Sequence, residues 1–190
     1  LTSATTQFIE IDGVSGSYVS TPDSVANSIR QSIVVEADIA PDTWGTTNAR
    51  MVIDHLPGGG NRSWALLMGS GGFKRLHFWN SATGSTTDFT QTALEVPFLD
   101  GERGRIKAAY DPIALTVTFS YAYPNADWVV LEVKATAQTS LYNSTADISV
   151  GRGYAGAATS MFDGKIYSTT VTKGPTLYPY VLLDGVSGTY

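Results

Sequence analysis

Residues 115–123 read Leu-Thr-Val-Thr-Phe-Ser-Tyr-Ala-Tyr. Every odd position is large and apolar, and every even position is small. That is the period of a β-strand with one buried face. The alternation recurs along the chain. Residues 74–79 place Leu76 and Phe78 on one side, and residues 105–110 place Ile106, Ala108 and Tyr110 together. Further strands are predicted over 32–39, 50–56, 64–68, 128–134, 147–150 and 165–172. Turn material separates them: Pro57 with Gly58, Gly59 and Gly60, the stretch 69–72, Asp100-Gly101, Pro124-Asn125 and Asp163-Gly164. No window carries a helical apolar stripe, and only 24–29 reads as a single helical turn. Many short strands joined by glycine-rich turns predict an all-β protein, best an antiparallel two-sheet jelly-roll sandwich.

Composition fits a domain of this kind. The 190 residues are 43% hydrophobic and only 15% charged, which excludes a disordered tail. The net charge of −5 argues against nucleic acid or an anionic membrane as the main partner. With no cysteine there is no disulfide, zinc–thiolate site or thiol nucleophile. No apolar run is long enough to span a membrane. The chain starts at Leu1, which reads as a trimmed or excised sequence.

The sequence also repeats itself. Residues 8–18 are FIEIDGVSGSY, and residues 180–190 are YVLLDGVSGTY. The copies lie about one domain length apart. We therefore expect a sandwich over 1–175. Residues 176–190 are then either the start of a second repeat or a strand that pairs with a neighbouring copy. Tyr180, Leu182, Asp184, Gly185 and Tyr190 are the candidate assembly residues.

Five blocks occur in order: IDGVSGSYVSTPDS (11–24), IVVEADIAPDTW (33–44), VPFLDGERGRIKAAYD (96–111), ISVGRG (148–153) and MFDGKIYSTTVTKG (161–174). In this the chain resembles the concanavalin A-like lectin/glucanase superfamily, in its laminin G-like branch. It is most similar to forms found in bacteriophage tail and other virion proteins. The resemblance covers residues 8–174. It implies a jelly roll whose first and last strands lie close together, with Asp12-Gly13 and Phe162 to Ile166 in structural roles. It further implies a non-enzymatic virion structural or adhesive module that could bind host-surface glycans. Its partners would be copies of itself and other virion proteins. Its location would be the virion, assembled in the bacterial cytoplasm, or outside a bacterium as a carbohydrate-binding module of a larger secreted protein.

The superfamily includes glycoside hydrolases that carry Glu-x-Asp-x-x-Glu on a strand. Glu10-Ile11-Asp12 matches its start, but Gly13-Val14-Ser15-Gly16 follows, so the third carboxylate is missing. A retaining hydrolase needs two carboxylates about 5 Å apart. The second copy has Leu182 in place of Glu10, so what recurs is the turn and not the acid. We assign no catalytic residue.

No cofactor is expected, although the resemblance leaves room for a structural Ca²⁺ at a sheet rim. Asp42, Asp88, Asp111, Asn125, Asp127 and Asp163 are the loop oxygens available, and each also suits a turn that caps its own backbone. His55 and His77 read as ordinary surface histidines. The aromatic platforms expected for sugar are Trp79 with the adjacent Asn80, Trp44 in the loop after Asp42, and Tyr154 in a glycine-rich loop. Asn61-Arg62-Ser63 and Asn143-Ser144-Thr145 match glycosylation sequons and are read as coincidental. No phosphate-cradling loop is present; residues 69–75 have glycines without a strand–loop–helix setting.

Overall fold

The computed structural model describes residues 7–154 and 158–174. Its twelve strands are β1 (Ile9–Asp12), β2 (Val19–Thr21), β3 (Ile33–Pro41), β4 (Arg50–Asp54), β5 (Trp64–Ser70), β6 (Phe73–Asn80), β7 (Asp88–Gln91), β8 (Gly104–Asp111), β9 (Thr116–Ala122), β10 (Val129–Ala135), β11 (Ile148–Val150) and β12 (Asp163–Lys173). They form two six-stranded sheets. The first runs β1-β12-β3-β8-β9-β10 and the second β2-β11-β4-β5-β6-β7. Every pairing is antiparallel. The helical pieces among the described residues are short 3-10 turns, as at Val25–Asn27 and Ala158–Ser160.

Alternation builds the core. In β9, Val117 and Phe119 point inward, and Ile106, Ala108 and Tyr110 do so from β8. The second sheet supplies Trp64, Leu66, Met68, Leu76 and Phe78. Phe78 and Tyr110 stack across the two sheets at 5.9 Å. The inward rule fails at the ends of the opening stretch. Leu115 sits in the β8–β9 turn with φ 54°, and Tyr123 lies just past β9; both side chains are exposed.

β1 and β12, the first and last described strands, are paired, with Ile9 opposite Ile166 and Asp12 opposite Asp163. Two strands lacked a readable period. β2 is three residues long, β7 is four, and both are sheet edges. Two turn aspartates, Asp111 and Asp12, cap their own backbone, whereas Asp88 accepts from Thr136 and Ala137 across the sheet edge. Asp111 Oδ1 accepts from the N–H groups of Ile113 and Ala114 at 2.8 and 3.0 Å. Asp12 Oδ1 accepts from Val14 N–H at 3.3 Å.

Trp44 departs from expectation. It has no exposed surface. Its ring lies 4.8 Å from Phe98, its backbone N–H donates to Asp100 Oδ1 at 2.8 Å, and its Nε1 donates to the Glu102 carbonyl at 3.1 Å. It pins the β3–β4 loop to the segment leading into β8 and has no face to offer a sugar. The terminal residues Tyr180, Leu182, Asp184, Gly185 and Tyr190 lie outside the described residues.

Candidate functional site on the outer face of the second sheet

Register brings a set of chemically useful side chains onto one surface. Ser149 of β11 stands opposite Asp54 of β4, Asp54 opposite Ala65 of β5, Ala65 opposite Trp79 of β6, and Trp79 opposite Phe89 of β7. Residues in directly opposed positions share a face, so this is one row across the sheet. The adjacent row is Met51, Leu67, His77 and Gln91. Trp64, Leu66 and Phe78 point the other way, into the core. The row is therefore the outer face of the second sheet.

The connection from β11 to β12 crosses this face. Tyr154 lies edge-on to Trp79, with ring centroids 5.7 Å apart. The pair packs on a small second cluster of Met51, Leu56, Ala65 and Leu67. The Arg62 guanidinium lies 5.5 Å from the Tyr154 ring centre. Arg152 donates to Asp54 Oδ1 at 2.9 Å and lies 5.8 Å from the Tyr18 ring centre. Thus Trp79 and Tyr154, seventy-odd residues apart, meet at one place. Phe89, beside them in register, is 64% exposed.

Buried polar atoms without a hydrogen-bond partner are uncommon in folded proteins. Several lie on this face, namely Ser149 Oγ, Asp54 Oδ2, Arg152 Nε, Arg62 Nε, His77 Nε2 and Trp79 Nε1, while others, such as Trp64 Nε1, Asn80 Oδ1 and Thr169 Oγ1, lie elsewhere. An aromatic pair ringed by unused donors and acceptors suits a ligand with apolar C–H faces and many hydroxyls.

Asn80 does not join the site. The strand continues through it, so it points inward opposite Trp64, is fully buried, and donates to Thr136 at 3.3 Å. The histidines are not surface groups either. His55 and His77 are almost completely buried. The outer face of this sheet is itself partly covered, so alternation out of the core did not expose His77. Asp54 carries no motif, Arg62 falls inside a sequon read as coincidental, and Arg152 falls inside the block 148–153 without being marked as functional. The one available signal was that alternation places His77 on the side of Trp79.

Charge at the face is tuned by burial. Burial pushes the Asp54 carboxyl up to about 6, although Arg152 beside it pulls the other way. Burial, aided by the Arg75 charge, pushes the His77 imidazole down to about 4. The native state therefore resists protonating His77 and favours protonating Asp54. His77 contributes stability that is present above pH 6.5 and lost as pH falls toward 4. Asp54 acts in the opposite sense, adding stability as pH falls from about 6 toward 4. At about 1.4 kcal/mol per pH unit, each effect is bounded near 3 kcal/mol. Removing one should expose the other. Denaturant unfolding at pH 7 and pH 4.5 should show Asp54→Asn losing more stability on acidification than the wild type, and His77→Gln losing less.

Other surfaces carry less. A polar cleft of about 290 Å³ opens between the β3–β4 loop and the start of β12, lined by Thr43, Thr46, Asn48, Arg50, Thr159 and Asp163. It presents no exposed aromatic ring, and its groups are partly used internally: Thr46 donates to the Asn48 carbonyl, and Arg50 to that of Met161. On the first sheet, Trp128 has Arg105 and Lys107 over its ring at 4.4 and 4.0 Å, so its face is already taken. Glu10 is exposed on the edge strand β1, with Lys165 as its cross-strand neighbour. Among the described residues, no three His, Asp or Glu side chains gather as a metal site would need.

No protein-family model matches the sequence, and no curated protein is detectably similar to it. The fold, however, matches solved structures. The carbohydrate-binding module CBM40 of the Ruminococcus gnavus IT-sialidase, bound to α2,3-sialyllactose, superposes with TM-score 0.58 at 10% identity, covering 87% of this chain and 89% of that one. The LG1–3 region of the laminin α2 chain gives TM-score 0.62 at 11% identity, covering 97% of this chain and 34% of that one. The enzymatically active domain of bacteriophage CBA120 tailspike protein 2 gives 0.52 at 14% identity, covering 93% and 30%. At these identities the likeness concerns the fold, which is the concanavalin A-like jelly roll.

Proposed function

We propose that the chain is a non-enzymatic glycan-binding module, and that it serves as an adhesive part of a virion that engages host-surface polysaccharide. The observation that carries the reading is the Trp79–Tyr154 pair, set among unpartnered buried donors and acceptors on the outer face of the second sheet. An aromatic ring covers the C–H side of a pyranose, while the half-buried Arg62 and Arg152 reach hydroxyl or carboxylate groups around it. Two arginines against one carboxylate favour an acidic sugar. Support from likeness comes from the sialyllactose-bound module and, for the virion setting, from the phage tailspike domain.

The enzymatic alternative needs two carboxylates at a sugar-sized separation. On this face Asp54 is already paired with Arg152, and Asp147, at the β2–β11 edge, accepts from the Ser20 hydroxyl at 3.3 Å. The test is a glycan array probed with the purified chain, followed by a reducing-end assay on whichever polysaccharide binds. Saturable binding without release of reducing ends is expected. Sustained release, abolished in Asp54→Asn or Glu10→Gln, would overturn the non-enzymatic reading.

A further inference from the structure

β1 sits in a seat with definite requirements. Ile11 is buried in the core, and its side chain fills the space that a Cβ on Gly151 would need. Ile9 packs against the same core. Asp12 caps the turn, and the Ser17 hydroxyl, with Val14 N–H, holds its carboxyl below the usual range. Gly13 and Gly16 have φ of 69° and 96°, which side-chain-bearing residues rarely adopt. Phe8 lies edge-on to Tyr167 at 5.7 Å. Glu10 faces outward and meets no such demand.

Residues 180–190 satisfy these requirements one by one. Val181 stands for Ile9, Leu183 for Ile11, Asp184 for Asp12, Gly185 for Gly13, Gly188 for Gly16 and Thr189 for Ser17. An aromatic, Tyr180, replaces Phe8. Only the outward Glu10 changes character, to Leu182. The copy thus preserves what the seat requires and relaxes what it does not.

We propose that residues 180–190 of one copy take the β1 position on β12 of a second copy, as an exchanged edge strand. The edge offers a starting point. β1 pairs only with Asp163–Ile166, and among the described residues no strand pairs with positions 168–173 on that side of β12. Seating the copy within its own chain is disfavoured. The β1 register would bring Val181 opposite Ile166, which makes the chain reverse at Lys173-Gly174 and sets Pro175 opposite Thr172. Proline has no N–H for the closing hydrogen bond of so tight a hairpin. The resident strand keeps the Glu10–Lys165 opposition, which Leu182 lacks. Exchange joins two chains, so by mass action it rises with protein concentration.

The chain has no cysteine, which makes the test clean. Full-length Lys165→Cys and Leu182→Cys chains are mixed at high concentration, oxidised gently and mapped by mass spectrometry. Peptides linking 165 to 182 should exceed, by roughly tenfold or more, those linking 165 to 113 in a matched mixture with Ile113→Cys. Ile113 is 94% exposed on the β8–β9 turn and belongs to no proposed contact. Equal yields of the two links overturn the proposal. Light scattering gives a second readout. The full chain should form concentration-dependent oligomers that a chain ending at residue 175 does not, and either a full chain that stays monomeric or oligomers that survive the truncation overturn it.

Discussion

Trp44→Ala should lower the free energy of unfolding by about 3 to 5 kcal/mol, the range for removing a large aromatic from a packed core. The ring is completely buried, rests on Phe98, and donates from Nε1 to Glu102. Truncation leaves both a cavity and an unpaired carbonyl. Trp44→Phe keeps most of the packing and loses the indole hydrogen bond, so it should cost about 1 to 2 kcal/mol. Urea unfolding measures both. The same variants separate structure from recognition. At temperatures where Trp44→Phe remains folded, its glycan affinity should equal that of the wild type. A selective loss of binding without loss of stability would return Trp44 to the sugar site.

Arg152→Met should have an effect of similar size for a different reason. Asp54 is almost fully buried, and Arg152 is its ion-pair partner at 2.9 Å. Removing one member of a buried pair strands the other, at a cost of about 3 to 5 kcal/mol. The stranded carboxyl can escape by taking a proton. The loss should therefore be greatest at pH 7 to 8 and shrink as the solution is acidified toward pH 4. Replacing both residues, Asp54→Asn with Arg152→Met, should recover much of the lost stability at neutral pH. A single variant with the same deficit at pH 4.5 and pH 8 would show that Asp54 is not the cause.

The sandwich was legible wherever a strand was long enough to show its period. β3, β6, β8 and β9 could be read from their alternation, because one face of each meets the opposite sheet. β2 and β7 could not, since three or four residues at a sheet edge contain too little pattern. The site was legible in part. Trp79 and Tyr154 were singled out separately, and the β11–β12 connection is what brings them together. Asn80 was placed with Trp79 because the two are neighbours in sequence. One more step of the same alternation turns it into the core. Trp44 looked like an exposed loop aromatic, and its burial depends on Phe98 and the segment 100–102, more than fifty residues away. The Asp54–Arg152 pair spans nearly one hundred residues and is set by the pairing of β4 with β11, which no local pattern encodes.

The most direct measurement is a titration of the strongest array ligand against the wild type, Trp79→Ala, Tyr154→Ala and Ile113→Ala, each first confirmed as folded by circular dichroism. Losing an aromatic face that covers a sugar ring should weaken binding by about tenfold or more for Trp79→Ala and Tyr154→Ala, with Ile113→Ala unchanged. Equal affinity in all four proteins, or no saturable glycan binding by the wild type, would contradict the assignment of glycan recognition to this face.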